Sequence, residues 1–285
     1  MATSHIIEER YEERYAVFGH PVAHSLSPRI HSIFSKQTEQ QTMTYTAIDV
    51  PRQNFEAAVR AFYADSGRGL NCTVPLKELA FELADQSSQR ARRCGAVNTL
   101  VFQADGSLYG DNTDGVGLLR DLTDNLAVQI HNKTMLILGA GGAARGILEA
   151  LLREKPVQIV IANRTVEKAL RLAELFSDLG DVKGCGYDGL QSQSFDIVIN
   201  ATAASLSGEL PPLPETLLNA KACCYDLAYA SQPTPFVQWG RDHGASISTD
   251  GIGMLVEQAA EAFYLWRGIR PETRSLIQVG VLKQG

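Results

Sequence analysis

A run of five apolar residues that leads directly into a glycine-rich loop constrains the fold of this chain more than any other feature. Residues 134–138 (TMLIL) have the composition of a strand that is buried on both faces of a parallel sheet. The loop at residues 139–144 follows, and the pattern then predicts a helix over 146–154 and a second strand over 158–162. This succession is the crossover unit of α/β proteins, so we predict an α/β fold.

The glycine-rich loop has the spacing GxGxxA in the structural context that a dinucleotide site requires. Gly139 permits the tight turn, Gly141 lets the backbone approach a pyrophosphate, and Ala144 allows the helix to pack closely on the strand. Free N–H groups at the helix N-terminus then face the phosphates. We predict that the loop residues Gly139, Ala140, Gly141, Gly142 and Ala143 bind a dinucleotide. The alternative is an ordinary glycine-rich turn with no ligand.

The end of the second strand indicates which dinucleotide is bound. An NAD site usually has Asp or Glu at this point, whereas this chain has Asn163, Arg164 and Thr165 and no carboxylate before Glu167. Arg164 can neutralise and hydrogen-bond a 2′-phosphate, Asn163 and Thr165 can add neutral donors, and Lys168 lies one turn farther along. The pattern therefore favours NADP, although Arg164 could also be a solvated surface residue.

The rest of the chain continues the alternation of strands and helices. Phe55, Val59 and Phe62 have helical spacing within the predicted helix 54–64, and Asp105-Gly106 is a turn signal between two short strands. Further predicted strands cover residues 15–18, 43–50, 69–74, 195–200, 223–227 and 245–248. Further predicted helices cover residues 27–36, 165–179 and 254–266. This alternation favours parallel sheets.

Composition excludes several classes of function. The 285 residues carry a net charge of −6, which argues against broad binding to nucleic acid or to anionic membranes. No apolar run approaches the roughly 18 residues of a membrane helix, and the polar N-terminus has no signal-peptide pattern. The five cysteines form no CxxC pair, which indicates free thiols in a reducing compartment rather than a disulfide framework or a metal site. We therefore expect a cytoplasmic protein without a metal.

Polar residues in the first half lie where the predicted strands end. Ser27 could cap a helix that has Pro28 as its first residue, or Ser25 and Ser27 together could hold a substrate carboxylate. Lys77 follows the strand that ends near Pro75, and loops at the carboxyl ends of parallel strands commonly bind ligands. Each of these groups could instead be an ordinary capping or turn residue with no role in binding.

A nicotinamide dehydrogenase needs a group that moves a proton to or from oxygen while hydride moves to or from carbon. None of the six histidines has an obvious relay partner in the sequence, and His24, beside Ser25, is the best placed of them. Lysine can transfer this proton when a carboxylate orients it. Lys77 and Asp114 are the available pair, and their spacing leaves open whether they touch.

The chain resembles the shikimate dehydrogenase family over nearly its whole length after about Tyr15. Nine segments carry the resemblance in the family's order: VFGHPVAHSLSPRIH (17–31), NCTVPLK (71–77), GAVNTL (95–100), GDNTDGVG (110–117), GAGGAAR (139–145), NRT (163–165), NAT (200–202), YDLAY (225–229) and DGIGMLVEQAA (250–260). The resemblance implies NADPH-dependent, reversible reduction of 3-dehydroshikimate to shikimate. It also implies two α/β domains around a cleft: a substrate domain (1–113 plus 252–285) and a Rossmann-like NADP domain (114–251).

The resemblance further implies roles for individual residues. Lys77 and Asp114 would form the catalytic pair, and the hydroxyls of Ser25 and Ser27 would hold the substrate carboxylate. The substrate ring would be bound by Thr73, Asn98, Asp114 and Gln258, with Tyr229 nearby. The nicotinamide would lie against Gly251 and Met254. Without the resemblance, Met254 reads as ordinary core packing. The only partner implied is the small-molecule substrate, with the protein a monomer or a homodimer.

The chain departs from the family pattern in three places. Cys72 stands where the family usually has Val, Ser32 where Asn is frequent, and residues 1–14 have no counterpart, so we expect them to be partly disordered.

Three rival functions make different predictions about the sequence. A quinate/shikimate dehydrogenase that prefers NAD should have an acidic residue near 163–165. A non-catalytic NADP sensor should lack Lys77 or Asp114. A methylene-tetrahydrofolate dehydrogenase should lack the HSLSP and NTDG segments.

Overall fold

The computed structural model describes residues 12–40, 42–202 and 204–278. The expectation for residues 1–14 therefore falls almost wholly outside the described residues, apart from the last three. Two six-stranded sheets, each covered by helices, make up the fold. Within the described ranges, no helix has the length and apolar character needed to span a membrane. The predicted α/β fold with two α/β units is confirmed.

The first sheet is built from the N-terminal part of the chain. Its strands are β1 (Glu13–Gly19), β2 (Met43–Asp49), β3 (Gly67–Cys72), β4 (Gln86–Ser87), β5 (Thr99–Phe102) and β6 (Leu108–Asp111). The helices of this part are α1 (Ser27–Gln37), α2 (Phe55–Ala64), α3 (Lys77–Leu83) and α4 (Gln89–Cys94). The strands lie side by side in the order β2-β1-β3-β5-β6-β4.

The first sheet is mixed rather than parallel throughout, which corrects the expectation of parallel sheets. β1 pairs in parallel with β2 and β3, but β5 is antiparallel to both β3 and β6. The cause is the turn at Asp105-Gly106, which joins β5 directly to β6 and leaves no room for a crossover helix. The hairpin itself was predicted from that turn signal.

The second sheet is parallel throughout. Its strands are β7 (Thr134–Leu138), β8 (Gln158–Ala162), β9 (Val182–Cys185), β10 (Phe195–Asn200), β11 (Leu218–Asp226) and β12 (Ile247–Thr249). Its order, β12-β11-β10-β7-β8-β9, reverses direction between β7 and β10. Ligands of open α/β sheets bind outside the carboxyl ends of the strands at such a reversal, so β7 and β10 mark the expected nucleotide crevice.

Four α-helices accompany the second sheet in the described part of the chain, and apolar periodicity predicted the two longest of them. They are α5 (Asp114–Arg120), α6 (Gly142–Arg153), α7 (Val166–Phe176) and α8 (Pro235–Asp242). In α6, the residues Ile147, Leu148, Leu151 and Leu152 form one buried face against β7 and β8. The predicted start of α6 at residue 146 was wrong: the helix begins at Gly142, because the extended backbone of Gly141 ends the loop there.

The chain returns to the first sheet through its C-terminal helices, α9 (Ile252–Arg267) and α10 (Arg274–Gln278). Val256, Ala260 and Phe263 of α9 share one apolar cluster with Ile30 and Phe34 of α1. α9 therefore packs on the first unit although its sequence follows the second.

Several local predictions need correction. Ser27 is the first residue of α1 rather than its N-cap, and the residue before the helix is Leu26, which makes no side-chain cap. The short elements β4, α3, α4, α5, β9, α8 and α10 were not predicted, because most have too few apolar residues to show a period. β11 begins five residues earlier than the predicted start at Cys223, in a polar stretch.

Candidate active site

The two residues of the predicted proton-transfer pair each begin a helix. Lys77 is the first residue of α3 and follows the loop after β3, while Asp114 is the first residue of α5 and follows β6. Because β3 and β6 belong to the same sheet, the fold brings together side chains that are 37 positions apart. The Nζ atom of Lys77 lies 2.5 Å from Oδ2 of Asp114.

Burial makes this pair more than a surface ion pair. The Asp114 side chain is 9% exposed and that of Lys77 is 26% exposed, so the carboxylate is largely removed from water while the amine keeps one open side. Oδ1 of Asp114 accepts a hydrogen bond from Nδ2 of Asn98 at 2.8 Å, and its backbone N–H bonds Asn112. Asp114 is thus held on both oxygens, and the ammonium of Lys77 is held in one direction.

Asn98 organises the polar cluster around Asp114. Its Nδ2 donates to Asp114 and to Oγ1 of Thr113, and its Oδ1 accepts from the backbone N–H of Thr113 at 2.9 Å. Asn98 is 3% exposed, and both its amide nitrogen and its amide oxygen have hydrogen bonds within the protein. Asn71, also buried, donates to the Asn98 carbonyl and accepts from the Tyr45 hydroxyl at 2.7 Å.

Sequence reasoning included Asn71 and Thr113 in polar segments but gave neither a role, and it missed Tyr45 completely. Tyr45 lies in the middle of β2, where a tyrosine gives no signal beyond ordinary strand composition. Only the pairing of β1 with both β2 and β3 brings it to Asn71, 26 positions away.

Ser25 and Thr73 lie in the loops after β1 and β3, at the carboxyl edge of the same sheet, and Ser27 begins α1 after the first of these loops. Oγ of Ser25 accepts a hydrogen bond from the backbone N–H of Ser27 at 3.3 Å, so the two residues form one local turn. The backbone N–H of Thr73 donates to the Phe18 carbonyl, which fixes the loop that leads to Lys77.

Helix α9 supplies the next group of predicted site residues. Oε1 of Gln258 accepts from the Thr113 hydroxyl at 3.3 Å, which connects α9 to the cluster around Asp114. Met254 lies one turn earlier on α9, and Gly251 directly precedes the helix. Tyr229 is partly buried against the apolar cluster of α1 and α9, and burial raises the pKa of its hydroxyl.

The glycine-rich loop has the shape that a pyrophosphate needs. Gly139 has φ of +100°, and a Cβ there would lie 3.1 Å from the Ala201 carbonyl oxygen, so only glycine fits without strain. Around Gly141 and Gly142 a Cβ would meet no atom within 4 Å, so the backbone is open. No side chain caps the start of α6, which leaves its first N–H groups for an anion. These residues fit a dinucleotide.

The residues predicted to select NADP lie at the end of β8, next to this loop. Arg164, Thr165 and Lys168 are exposed, and Nδ2 of Asn163 donates to the Thr165 carbonyl at 2.8 Å, which shapes the turn. Burial raises the pKa of Tyr187, and the positive charge of Arg164 opposes that rise. An exposed guanidinium at this strand end fits a 2′-phosphate.

In the described part of the chain, His20 rather than the favoured His24 lies against a carboxylate. Nδ1 of His20 lies 2.7 Å from Asp49, whereas His24 is an exposed loop residue. This partner was not obvious from the sequence, because Asp49 comes from the end of the neighbouring strand β2, 29 positions away.

A cavity of about 360 Å³ lies beside the site, between α4, α5 and α6. Arg90, Arg145 and Glu149 are among the residues that line it, together with Gly115 of α5. None of the predicted substrate or cofactor residues lines this cavity, so the chemistry described above lies elsewhere, in the cluster around Lys77 and Asp114.

Three family models match successive parts of the chain. The shikimate dehydrogenase substrate binding domain matches residues 17–100, and the shikimate/quinate 5-dehydrogenase model matches residues 121–207. The shikimate 5′-dehydrogenase C-terminal domain matches residues 251–279. The first match contains Lys77, and the last contains Gln258.

Full-length relatives and solved structures agree with these matches. A shikimate dehydrogenase (NADP(+)) of Methylococcus capsulatus is 62% identical over 93% of this chain and 95% of its own length. An Ael1 enzyme from Pseudomonas putida superposes with a TM-score of 0.88 at 47% identity, covering 94% of this chain and 97% of its own. A shikimate 5-dehydrogenase from Thermus thermophilus, in complex with NADP(H) and shikimate, gives 0.81 at 35% identity, covering 92% and 95%. This chain belongs to the shikimate dehydrogenase family.

Proposed function

We propose that the protein catalyses the reversible, NADPH-dependent reduction of 3-dehydroshikimate to shikimate. The observation that carries this proposal is the Lys77–Asp114 contact of 2.5 Å, set in a polar cluster at the edge of the first sheet. The name of the Methylococcus capsulatus relative and the ligands of the Thermus thermophilus structure support the choice of substrate and cofactor. A rival sensor function finds no support, since both members of the pair are present.

We propose that the substrate carboxylate is held by Ser25 and Ser27, whose hydroxyls belong to one turn. Thr73, Asp114 and Gln258 would bind the ring hydroxyls, and Asn98 would complete that set from its buried position against Asp114. Tyr229 would lie at the side of the ring. In this arrangement a neutral hydroxyl pair, rather than an arginine, recognises the carboxylate, so orientation depends on the ring contacts as well.

Proton transfer would be the work of Lys77. In the reductive direction its Nζ donates a proton to the ketone oxygen, and in the oxidative direction it takes the proton of the alcohol. Its positive charge also stabilises the negative charge that develops on oxygen during the reaction. Asp114 keeps the ammonium directed, because its second oxygen is fixed by Asn98.

The cofactor would supply or accept the hydride when bound. Its pyrophosphate would be held by the loop residues Gly139, Ala140, Gly141, Gly142 and Ala143. Asn163, Arg164, Thr165 and Lys168 would receive the 2′-phosphate, and Gly251 and Met254 would border the nicotinamide. The open backbone at Gly141 and Gly142 supports the first assignment, and the exposed guanidinium of Arg164 supports the second.

We further propose that the substrate domain consists of residues 1–113 and 252–285, and the NADP domain of residues 114–251. The packing of α9 on α1 supports the second part of the substrate domain. The described cysteines are free thiols, most of them buried, which supports a reducing, cytoplasmic location. A monomer or a homodimer would serve this reaction.

Replacement of Lys77 by Ala tests the proposal. With shikimate and NADP+, kcat should fall by roughly 10²–10⁴-fold, since that is the usual contribution of a general acid–base group. The dissociation constant of NADP+, measured by fluorescence titration, should stay within about twofold, because Lys77 lies on the substrate side.

Lys36→Ala is the matched control, because Lys36 is exposed in the last turn of α1. It should leave kcat unchanged. A Lys77→Ala variant with near-normal kcat would remove Lys77 from the mechanism, and equal losses in both variants would show a non-specific effect.

A further inference from the structure

The hydroxyl of Tyr225 is a buried connection between three elements. Tyr225 lies in β11 and is 0% exposed. Its hydroxyl donates to Oδ2 of Asp121 at 2.6 Å and accepts from the backbone N–H of Met254 at 3.1 Å. Both partners come from other parts of the chain, so this one oxygen joins the cofactor sheet to two helices.

Each of the two helices carries a proposed active-site residue. α5 begins at Asp114 and ends at Arg120, and Asp121 follows at once as the first residue of a π-helical turn. Met254 is in the first turn of α9, the helix that also carries Gln258. Among the groups that we assign to substrate or cofactor, the Tyr225 hydroxyl bonds to the backbone of Met254.

The first turn of α9 takes one of its hydrogen bonds from this contact. A helix leaves its first N–H groups without internal partners, and Gly251, the residue before α9, offers no side chain to accept from them. The Tyr225 hydroxyl takes the N–H of Met254 instead. The carboxylate of Asp250 accepts from the N–H of Ile252 at 3.3 Å, so a local side chain and a tertiary contact share the capping of α9.

Close packing leaves α9 little freedom to shift. A Cβ at Gly253 would lie 2.1 Å from both carboxylate oxygens of Asp121, and a Cβ at Gly117 would lie 2.9 Å from the Met254 carbonyl oxygen. Asn125 donates to both Asp121 and Glu257, which secures the carboxylate from the other side. The end of α5 and the start of α9 are in direct contact at two glycines.

We propose that Tyr225 and Asp121 are positioning residues that fix the first turn of α9 and so set the placement of Met254 beside the nicotinamide. This inference rests on the proposed function, because it takes Met254 as the border of the nicotinamide site. Burial raises the pKa of the Tyr225 hydroxyl well above its ordinary value, which keeps it a donor to Asp121. Neither residue would exchange a proton with the substrate.

Tyr225→Phe is the test, since it removes one oxygen and keeps the buried ring. Three quantities are measured: kcat, the KM of shikimate, and the primary deuterium isotope effect on kcat with shikimate deuterated at the carbon that gives up hydride. We expect kcat to fall roughly tenfold, because small misplacements of reacting groups cost about this much or more. The KM of shikimate should stay within about twofold, and the isotope effect should rise as hydride transfer becomes slower than product release.

Tyr15→Phe is the matched control. Tyr15 is a 2% exposed tyrosine in β1, and its hydroxyl accepts a hydrogen bond from the guanidinium of Arg267 at 3.3 Å. It should lower the thermal unfolding midpoint, as Tyr225→Phe also should, but leave kcat and the isotope effect unchanged. A merely structural role for Tyr225 would make the two variants behave alike, and that result would overturn the proposal.

Two substitutions at Asp121 provide a second test of the proposal. Asp121→Asn keeps an oxygen that can accept from Tyr225, whereas Asp121→Leu does not, so Asn should retain more of kcat than Leu. If Tyr225→Phe does not fold, this pair decides: equal kcat and isotope effects in both would contradict the inference. Absence of turnover by the unaltered protein would contradict the proposed function instead.

Discussion

The burial of the His31 side chain has a free-energy cost that the packing around it must offset. It is 1% exposed on the inner face of α1, its ring stacks on Tyr45 at 4.1 Å, and neither ring nitrogen has a hydrogen bond of normal geometry to any described residue. Burial lowers its pKa from 6.5 to about 3, although the nearby Asn71 amide opposes this shift. The folded protein therefore holds this histidine neutral in mildly acidic solution.

The lowered pKa predicts a specific dependence of stability on pH. Below about pH 6.5 the unfolded chain protonates His31 while the folded chain does not, so stability is full above that pH and falls as the pH drops toward 3. The limiting slope is about 1.4 kcal/mol per pH unit. His31→Phe should reduce the loss of unfolding free energy between pH 7 and pH 5, measured by urea denaturation.

His131→Phe is the control, because His131 is exposed and its substitution should leave the slope as it is in the unaltered protein. An unchanged slope in His31→Phe would mean that His31 is protonated in the folded state.

The predicted site residues were recognisable at the residue scale where they stand at element ends. Lys77 and Asp114 both follow strands and both are polar, so loop position alone pointed to them. That they touch, and that Asn71 and Tyr45 support them, depends on which strands are neighbours, and spacing along the chain carries no such information.

At the scale of elements, the short helix α4 contributes more to the stability of the fold than its length suggests. Its Arg90 makes two hydrogen bonds of 2.7 Å to Asp111, which is 3% exposed, and also lies 3.4 Å from Glu261 of α9. This cluster ties α4, the end of β6 and α9 together, one residue before the polar segment that contains Asp114.

Removal of Arg90 should therefore be costly. Arg90→Ala leaves the buried Asp111 carboxylate with only neutral donors, and we expect a loss of roughly 3 kcal/mol in unfolding free energy. Arg60→Ala breaks an exposed ion pair within α2 and should cost about 0.5 kcal/mol or less. Urea titration of both variants checks the difference; similar losses would show that the Arg90 cluster is no stronger than a surface pair.

The elements themselves were predictable to the extent that they bury an apolar face. β7, β8 and β10 match their predicted bounds, since each contains at least three consecutive apolar residues. α4 (QRARRC) and α5 (DGVGLLR) have no such run, and their helical structure depends on tertiary contacts and on the cap of Ser88.

At the scale of the whole molecule, the two sheets have different roles. The reversal of strand order between β7 and β10 forms the crevice for a nucleotide, and the first sheet gathers the polar ends of its strands around Lys77. α9 joins the two, because it packs on the first sheet while its first turn is fixed to β11. The sequence could predict most of the strands but not this junction, where hydrogen bonds such as that between Asn125 and Glu257 join side chains more than a hundred positions apart.

The most direct test of the account is the rate at which the unaltered protein reduces NADP+ and NAD+ with shikimate, with quinate as a second substrate, followed by the absorbance of the reduced nicotinamide. We predict turnover of shikimate, with kcat/KM at least roughly tenfold higher for NADP+ than for NAD+, because one charge-assisted contact of Arg164 is worth about 1.4 kcal/mol or more. Equal or faster rates with NAD+ would contradict the role of Arg164. No turnover with any combination would contradict the proposed function and favour a non-catalytic NADP-binding protein.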